Sequence, residues 1–403
     1  MFVFKISYIQ LEPEQNITHN TSNELEELLY IVCKQGSMDE LNSLLREGDV
    51  NWNIALKGAC EGGHLDIIKF VLSNSSSNVD WKIALKIACK KGSNEIVDLI
   101  VSNTPTIDWK MGLQGACEGG HIDLARKIRD KVKDIVPEDL MYAFSEACYL
   151  GNVDILRFMV SMGVYSWDDG FTSACLGGYI KIVRTMIMKG VTEWSFGFIN
   201  ACSGGHIKIV KLLYTTGFEN IKEGLIEGFN EACLGGHLNI VKFLLRRDQK
   251  GFDWKWAMIN ACSGGEIGIV QLMICKLGKQ LAHVWDEGLF QACSKGHISI
   301  VKLMIEKGAQ NLNEGLRQAC KNCQREVIDY LLDNGATDID GGLKSLCLSL
   351  KRKDIILLLV TKGGNINNID YLLYSEIVYL NREGVSNFGK HTKKAKNILN
   401  NHI

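Results

Sequence analysis

Apolar residues recur along this chain in pairs of short helical stripes. Within 52–72, Trp52, Ala55, Leu56, Ala59 and Cys60 fall at i, i+3, i+4, i+7 and i+8, which is one face of a helix. After Gly62 and Gly63 a second stripe begins, with Leu65, Ile68, Val71 and Leu72 in a 3.6-residue rhythm and Asp66 and Lys69 outside it. The pattern predicts a helix, a tight turn and a second helix. The same wording returns at 194–214 and 285–305, and it can be followed by twelve cysteines from Cys33 to Cys347 in steps of 27 to 31 residues. A fixed period of this size marks one supersecondary unit stacked on copies of itself, each completing its core only against its neighbours.

Counting from that cysteine, seven tryptophans (Trp52, Trp81, Trp109, Trp167, Trp194, Trp254 and Trp285) stand eight residues earlier, and the other copies place Leu or Ile there. The residue before the tryptophan is often one whose side-chain oxygen can cap a first turn, as at Asn51, Asp80, Asp108, Ser166 and Asp253. The first helix is therefore predicted to start at the tryptophan. A glycine three residues after the cysteine, from Gly63 to Gly296, can take the left-handed conformation that ends it. The second helix is predicted to close on a glycine such as Gly163, Gly190, Gly217 or Gly308.

Composition changes this picture little. Lys+Arg 45 against Asp+Glu 46 leaves a formal charge of -1, which argues against bulk binding of nucleic acid or a membrane surface. The first ten residues lack the apolar stretch of a signal peptide, and the longest apolar run, 355–360, is far too short to span a bilayer. The expectation is a soluble, cytoplasmic, monomeric chain whose fourteen cysteines stay reduced.

The recurring stretch, seen in Ala201, Cys202, Gly205, His206, Ile207, Ile209, Val210, Lys211, Leu212 and Leu213, resembles the core of the ankyrin repeat. The resemblance covers roughly 24–362. In its idiom, rich in Asn, Ile and Lys, the chain is similar to the ankyrin arrays of large DNA viruses that infect amoebae, which would place it in the host-cell cytoplasm. Two departures shape the expected fold. The period is shorter than the ~33 residues of that family, and Ile54, Ala55, Leu56 and Lys57 stand where it writes T-P-L-H. The expectation is an all-α solenoid of about twelve short ankyrin-type helix–turn–helix repeats, with β-hairpin fingers reduced or absent. The expected organisation is an N-terminal arm (1–22), the solenoid (23–362), and a C-terminal cap and basic tail (363–403), with 369–380 as a further capping helix.

Candidate chemistry is sparse. Equivalent cysteines in adjacent repeats should sit one helix-packing distance apart, ~8 to 10 Å, beyond the ~7 Å reach of a disulfide, so they read as small core thiols. Cys320 and Cys323 form a lone C-x-x-C in which Cys323 replaces the turn glycine. His64, His121, His206, His237 and His297 share one position, where the ankyrin resemblance implies hydrogen bonds between the turns of stacked repeats. No nucleophile elbow, phosphate-cradling loop or zinc-protease helix occurs, and no catalytic residue, metal or cofactor is expected.

Partner recognition should then lie where copies differ: two, three, six and seven residues before the cysteine, and one and two after it. In the N-terminal third these positions hold Lys57, Lys82, Lys86, Lys90 and Lys110, and later Phe196, Ile199, Trp256, Ile259 and Phe290. Aromatic residues on a helical face suit a binding hot spot. The plainer alternatives are a solvated lysine face and apolar wedges between first helices. The leading expectation is a non-enzymatic scaffold that binds a protein along the first-helix face. A substrate-recruiting adaptor for a host ubiquitin ligase comes second, and nucleic-acid binding through the lysine face third.

Overall fold

The computed structural model describes residues 21–46, 50–74, 79–104, 106–132, 134–247, 251–277, 282–346, 352–369, 379–385 and 387–391. Among these residues it contains twenty-five α-helices and no strand, arranged as consecutive helical hairpins. The chain is an all-helical repeat solenoid, as the apolar pattern predicts. First helices pack broadly against one another along the array, whereas second helices meet their neighbours lightly, so the first-helix row forms the inner side.

Helix starts follow the tryptophan rule in six repeats, at Trp52, Trp81, Trp109, Trp167, Trp194 and Trp254. Asn51, Asp80, Asp108 and Asp253 cap these helices through side-chain oxygens that accept from first-turn amides. Ser166 does not cap; its hydroxyl donates instead to Asp169 at 2.7 Å. Trp285 departs from the rule, because its helix begins three residues earlier, at Ala282. Only the five residues 189–193 link the helix Ile180–Met188 to the helix Trp194–Ser203, and the Trp194 indole closes that loop by donating to the Val191 carbonyl at 3.0 Å. So short a link leaves no chain for a β-hairpin finger.

All nine turn glycines from Gly63 to Gly296 have positive φ, and Cys323, in the same place, has φ 53, the one positive value at a non-glycine among the described residues. That cysteine acts as a substituted turn residue. The helix Ile207–Thr216 closes on Gly217 as expected, though not through the left-handed conformation. Its φ is -141, and glycine is required there because a Cβ would lie 2.5 Å from the Trp194 ring.

The core is one continuous column. Ten repeats, from Ala59–Cys60 to Ala319–Cys320, supply Ala and Cys from the first helix, and residues such as Ile209, Val210 and Leu213 join them from the second, all fully buried. Four copies place phenylalanine four residues before the cysteine, at Phe144, Phe171, Phe198 and Phe229, among the largest fully buried side chains. Their rings fill space that the next first helix leaves open with glycine: a Cβ on Gly170, Gly197 or Gly228 would fall 2.8, 2.2 or 2.7 Å from the preceding ring. Phe229 instead stacks on Phe252 at 4.0 Å and is followed by Ala257. Cys347, the tail from 392 onward and 370–378 of the expected 369–380 helix lie outside the described residues; its last two residues belong to a helical turn over 379–382.

Candidate partner-binding face

Much of what varies on the first helices joins one repeat to the next. Seven residues before the cysteine, Asp168 Oδ1 accepts from the Thr192 and Glu193 amides at 2.6 and 3.1 Å, and so holds the loop that opens the following repeat. Asp286 does the same for Gln310 and Asn311, and Asn313 for Thr337 and Asp338. Where that position is lysine, a carboxylate of the next repeat faces it: Lys82 with Asp108 and Lys110 with Asp139, both at 3.9 Å. Each solution gives the loop or helix start of the next copy a fixed partner.

The histidines form a second set of joints. Nε2 of His64, His121, His206, His237 and His297 lies 2.8 to 3.1 Å from a first-helix carbonyl of the preceding repeat. Each ring covers the preceding turn glycine; on Gly178 a Cβ would meet the His206 ring at 2.4 Å. This is the structural role that the resemblance implied. Ser37, Ser93 and Asn152, at the same position, make no side-chain cap bond, whereas Glu266 accepts from the Gly268 amide at 3.0 Å.

The lysine stretch is likewise engaged. Glu118 is 2% exposed and takes Lys86 at 2.7 Å and Lys90 at 3.4 Å, while Lys90 also reaches Glu146 at 3.4 Å. Burial works to lower the Lys90 ammonium, but Glu118 and Glu146 outweigh it and hold it above the usual lysine range. Lys57 sits over the Tyr30 ring at 5.5 Å. Two lysines against two glutamates make this cluster locally neutral, and Lys82 and Lys110 keep the more open side chains.

The apolar candidates divide. Phe196 is 55% and Trp256 38% exposed, whereas Ile199 and Ile259 are each 7% exposed and Phe290 is half-buried against the core. Ile199 packs toward the turn at Gly224, where a Cβ would meet it at 3.3 Å; the wedge alternative describes it and Ile259. Six exposed residues of the same row lay outside the candidate set: Ile83 and Tyr142, six residues before their cysteines like Phe196 and Trp256, Ile226, seven before its own, Tyr149 and Leu234, one after, and Leu150, two after. Lining up all copies at the first of these positions shows Tyr142, Asp169, Phe196, Glu227, Trp256 and Glu287, an aromatic residue alternating with an acid over six repeats. The first helices Trp167–Gly177, Trp194–Ser203 and Leu225–Leu234 contain no lysine or arginine.

The cysteines carry no nucleophile to this face. Burial pushes the thiols of Cys33, Cys60, Cys89 and Cys117 up to about 12, so they remain protonated.

Residues 28–111 and 258–342 each match a family model described as ankyrin repeats (3 copies). No curated protein matches this chain. Among solved structures, the human ASB11 ankyrin repeat domain is similar at 18% identity, covering 54% of this chain and 96% of that one, with a TM-score of 0.25. The pentatricopeptide repeat protein PPR10 from maize is similar at 11% identity, covering 96% and 68%, with a TM-score of 0.34.

Proposed function

We propose that this array is a non-enzymatic scaffold that binds a protein partner across its first-helix face. Ankyrin repeats generally mediate protein–protein interaction, and matches to them at both ends of the array support the class. The observation that carries the reading is the pair Phe196 and Trp256, exposed rings at equivalent positions two repeats apart, with Ile226 and Leu234 exposed on the first helix between them. Aromatic side chains held by rigid helices present large contact area at little entropic cost. The acids between them, and the absence of cations on the intervening first helices, favour a partner segment that alternates apolar and basic side chains. Lys82 and Lys110, the more open members of the lysine stretch, would receive acidic groups at the segment's other end. The host-cell cytoplasm suggested by the viral likeness is the setting this reading assigns.

Selection of a random peptide library on the purified protein tests it. Enriched peptides should combine aromatic or aliphatic residues with Lys or Arg, and F196S/W256S should weaken them about thirtyfold, the scale of one hot-spot contact of ~2 kcal/mol. Unchanged binding by that variant, with helicity and thermal midpoint preserved, would remove the site from this row.

A further inference from the structure

The near-zero net charge conceals a segregated surface. Nine residues after the cysteine, on the outer face of the second helix, seven repeats place a cation: Lys69, Arg126, Arg157, Arg184, Lys211, Lys242 and Lys302. In the first three of these an acid stands one turn earlier and offsets it, as Asp154 does for Arg157 at 3.9 Å and as the positions of Asp66 and Asp123 allow for Lys69 and Arg126. The two repeats that follow reverse that residue, to Lys181 and Lys208. Lys189, Arg246 and Arg247 add charge just past the helix ends.

The helices Ile180–Met188, Ile207–Thr216 and Leu238–Leu245 consequently hold no acid, and with their C-terminal flanks they present eight cations across three adjacent repeats. All eight are exposed, and none lies in an ion pair with a described residue. The nearest acid in the following loop, Glu219, is paired with Lys222 at 3.2 Å. Like charges brought together on rigid helices cost stability, and no carboxylate of the described residues pairs with them.

We propose that this second-helix stripe binds the phosphodiester backbone of a nucleic-acid duplex, independently of the first-helix face. Three observations favour that partner over other polyanions. Lysine is depleted at the cores of protein–protein interfaces, which rely on apolar anchors, and the one strongly exposed apolar side chain within the stripe is Met188. Interfacial membrane helices need a broad apolar face beside their cations, which this stripe lacks. Single strands need open aromatic platforms; Tyr214 is half-buried, Phe243 is buried, and the Arg247 guanidinium covers the Phe243 ring at 3.9 Å. Stacked in that way, the guanidinium keeps its edge for a phosphate. Cations repeated once per repeat on a stiff array make a grid that contacts phosphates without reading bases.

Fluorescence anisotropy with a labelled mixed-sequence DNA duplex, on the full chain in 50, 100 and 200 mM salt, is the test. With about five phosphates engaged, the log–log slope should be near -4.5 and affinity should fall several-hundred-fold across that range. K181Q/R184Q/K208Q/K211Q/K242Q/R246Q should weaken binding at least about thirtyfold and flatten the slope. The milder K181D/K208D, which restores the acid that other repeats carry, should move both in the same direction with the fold undisturbed. Absence of duplex binding at 50 mM salt, or binding that either folded variant leaves intact, would overturn the proposal. So would tighter binding to phosphatidylserine vesicles or to poly-glutamate, lost in the same variants, which would assign the stripe to a membrane or an acidic protein.

Discussion

Replacing Gly197 with alanine sets two measurable effects against each other. Helix propensity favours alanine in a helix interior by ~0.8 to 1.0 kcal/mol. The added Cβ, however, would stand 2.2 and 2.7 Å from two carbons of the Phe171 ring, which is fully buried and has no solvent to retreat into. Forcing one extra methyl into such a core costs ~1 to 3 kcal/mol, so G197A should be destabilising by up to ~2 kcal/mol despite the better helix former. The decisive quantity is the coupling to Phe171. Leucine at the equivalent position tolerates either residue in the next repeat, Ala84 or Ala143 after Leu56 or Leu113 and Gly112, Gly315 or Gly342 after Leu85, Leu289 or Leu316. In an F171L background G197A should therefore become neutral or stabilising, a coupling of ~1 to 3 kcal/mol. Guanidinium unfolding of the four proteins in the cycle, with amide exchange on the two first helices because long arrays depart from two-state behaviour, reads it out. If G197A costs the same in both backgrounds, or stabilises the wild type, the ring is not what keeps that glycine.

Three further outcomes are expected. His206→Ala should lose the 2.8 Å bond to the Leu176 carbonyl and cost ~1 to 3 kcal/mol; His206→Gln should recover part of it, since Gln324 covers Gly296 in the same place, and equal thermal midpoints for the two would contradict this. Asp168→Ala leaves the Thr192 and Glu193 amides without their acceptor, so exchange at those two amides should accelerate while Asp168→Asn stays protected, as Asn313 does this work elsewhere; unchanged exchange in the alanine variant would refute the staple. Maleimide labelling of the native protein should modify Cys275, the one cysteine exposed among the described residues, and spare Cys60 and Cys117, whose thiols burial pushes up to about 12, until the chain unfolds; fast native labelling of Cys117 would show that its repeat opens.

The helical hairpin, its caps and its turn glycines were legible because each depends on local chemistry: a 3.6-residue stripe, an oxygen at the N-cap, a residue able to adopt positive φ. What the sequence hid was contact between copies. Asp168 reads as a variable surface residue until the loop of the next repeat is seen to rest on it. Lys86 and Lys90 read as a basic face because Glu118 and Glu146 lie in the following two repeats, at positions that look equally variable. Ile199 and Phe196 could not be separated by type; only the turn at Gly224 decides that one packs while the other stays exposed. The alternation of aromatic and acid from Tyr142 to Glu287 was present in the letters and needed only all copies aligned at one position rather than repeats scanned one at a time.

The match of ring and glycine across repeat boundaries imposes a grammar on how such an array can grow. A copy ending its core face in phenylalanine must be followed by one that opens with glycine, as in the succession Phe144–Gly170, Phe171–Gly197 and Phe198–Gly228. Repeats inside that block can therefore be duplicated or deleted as units, each junction re-forming an allowed pair. A copy carrying Ala84 or Ala143, inserted after one of them, would meet a ring where it needs space. Phe229, followed by Ala257, escapes because its ring stacks on Phe252 instead, so the boundary after that copy is where the run of phenylalanines can end.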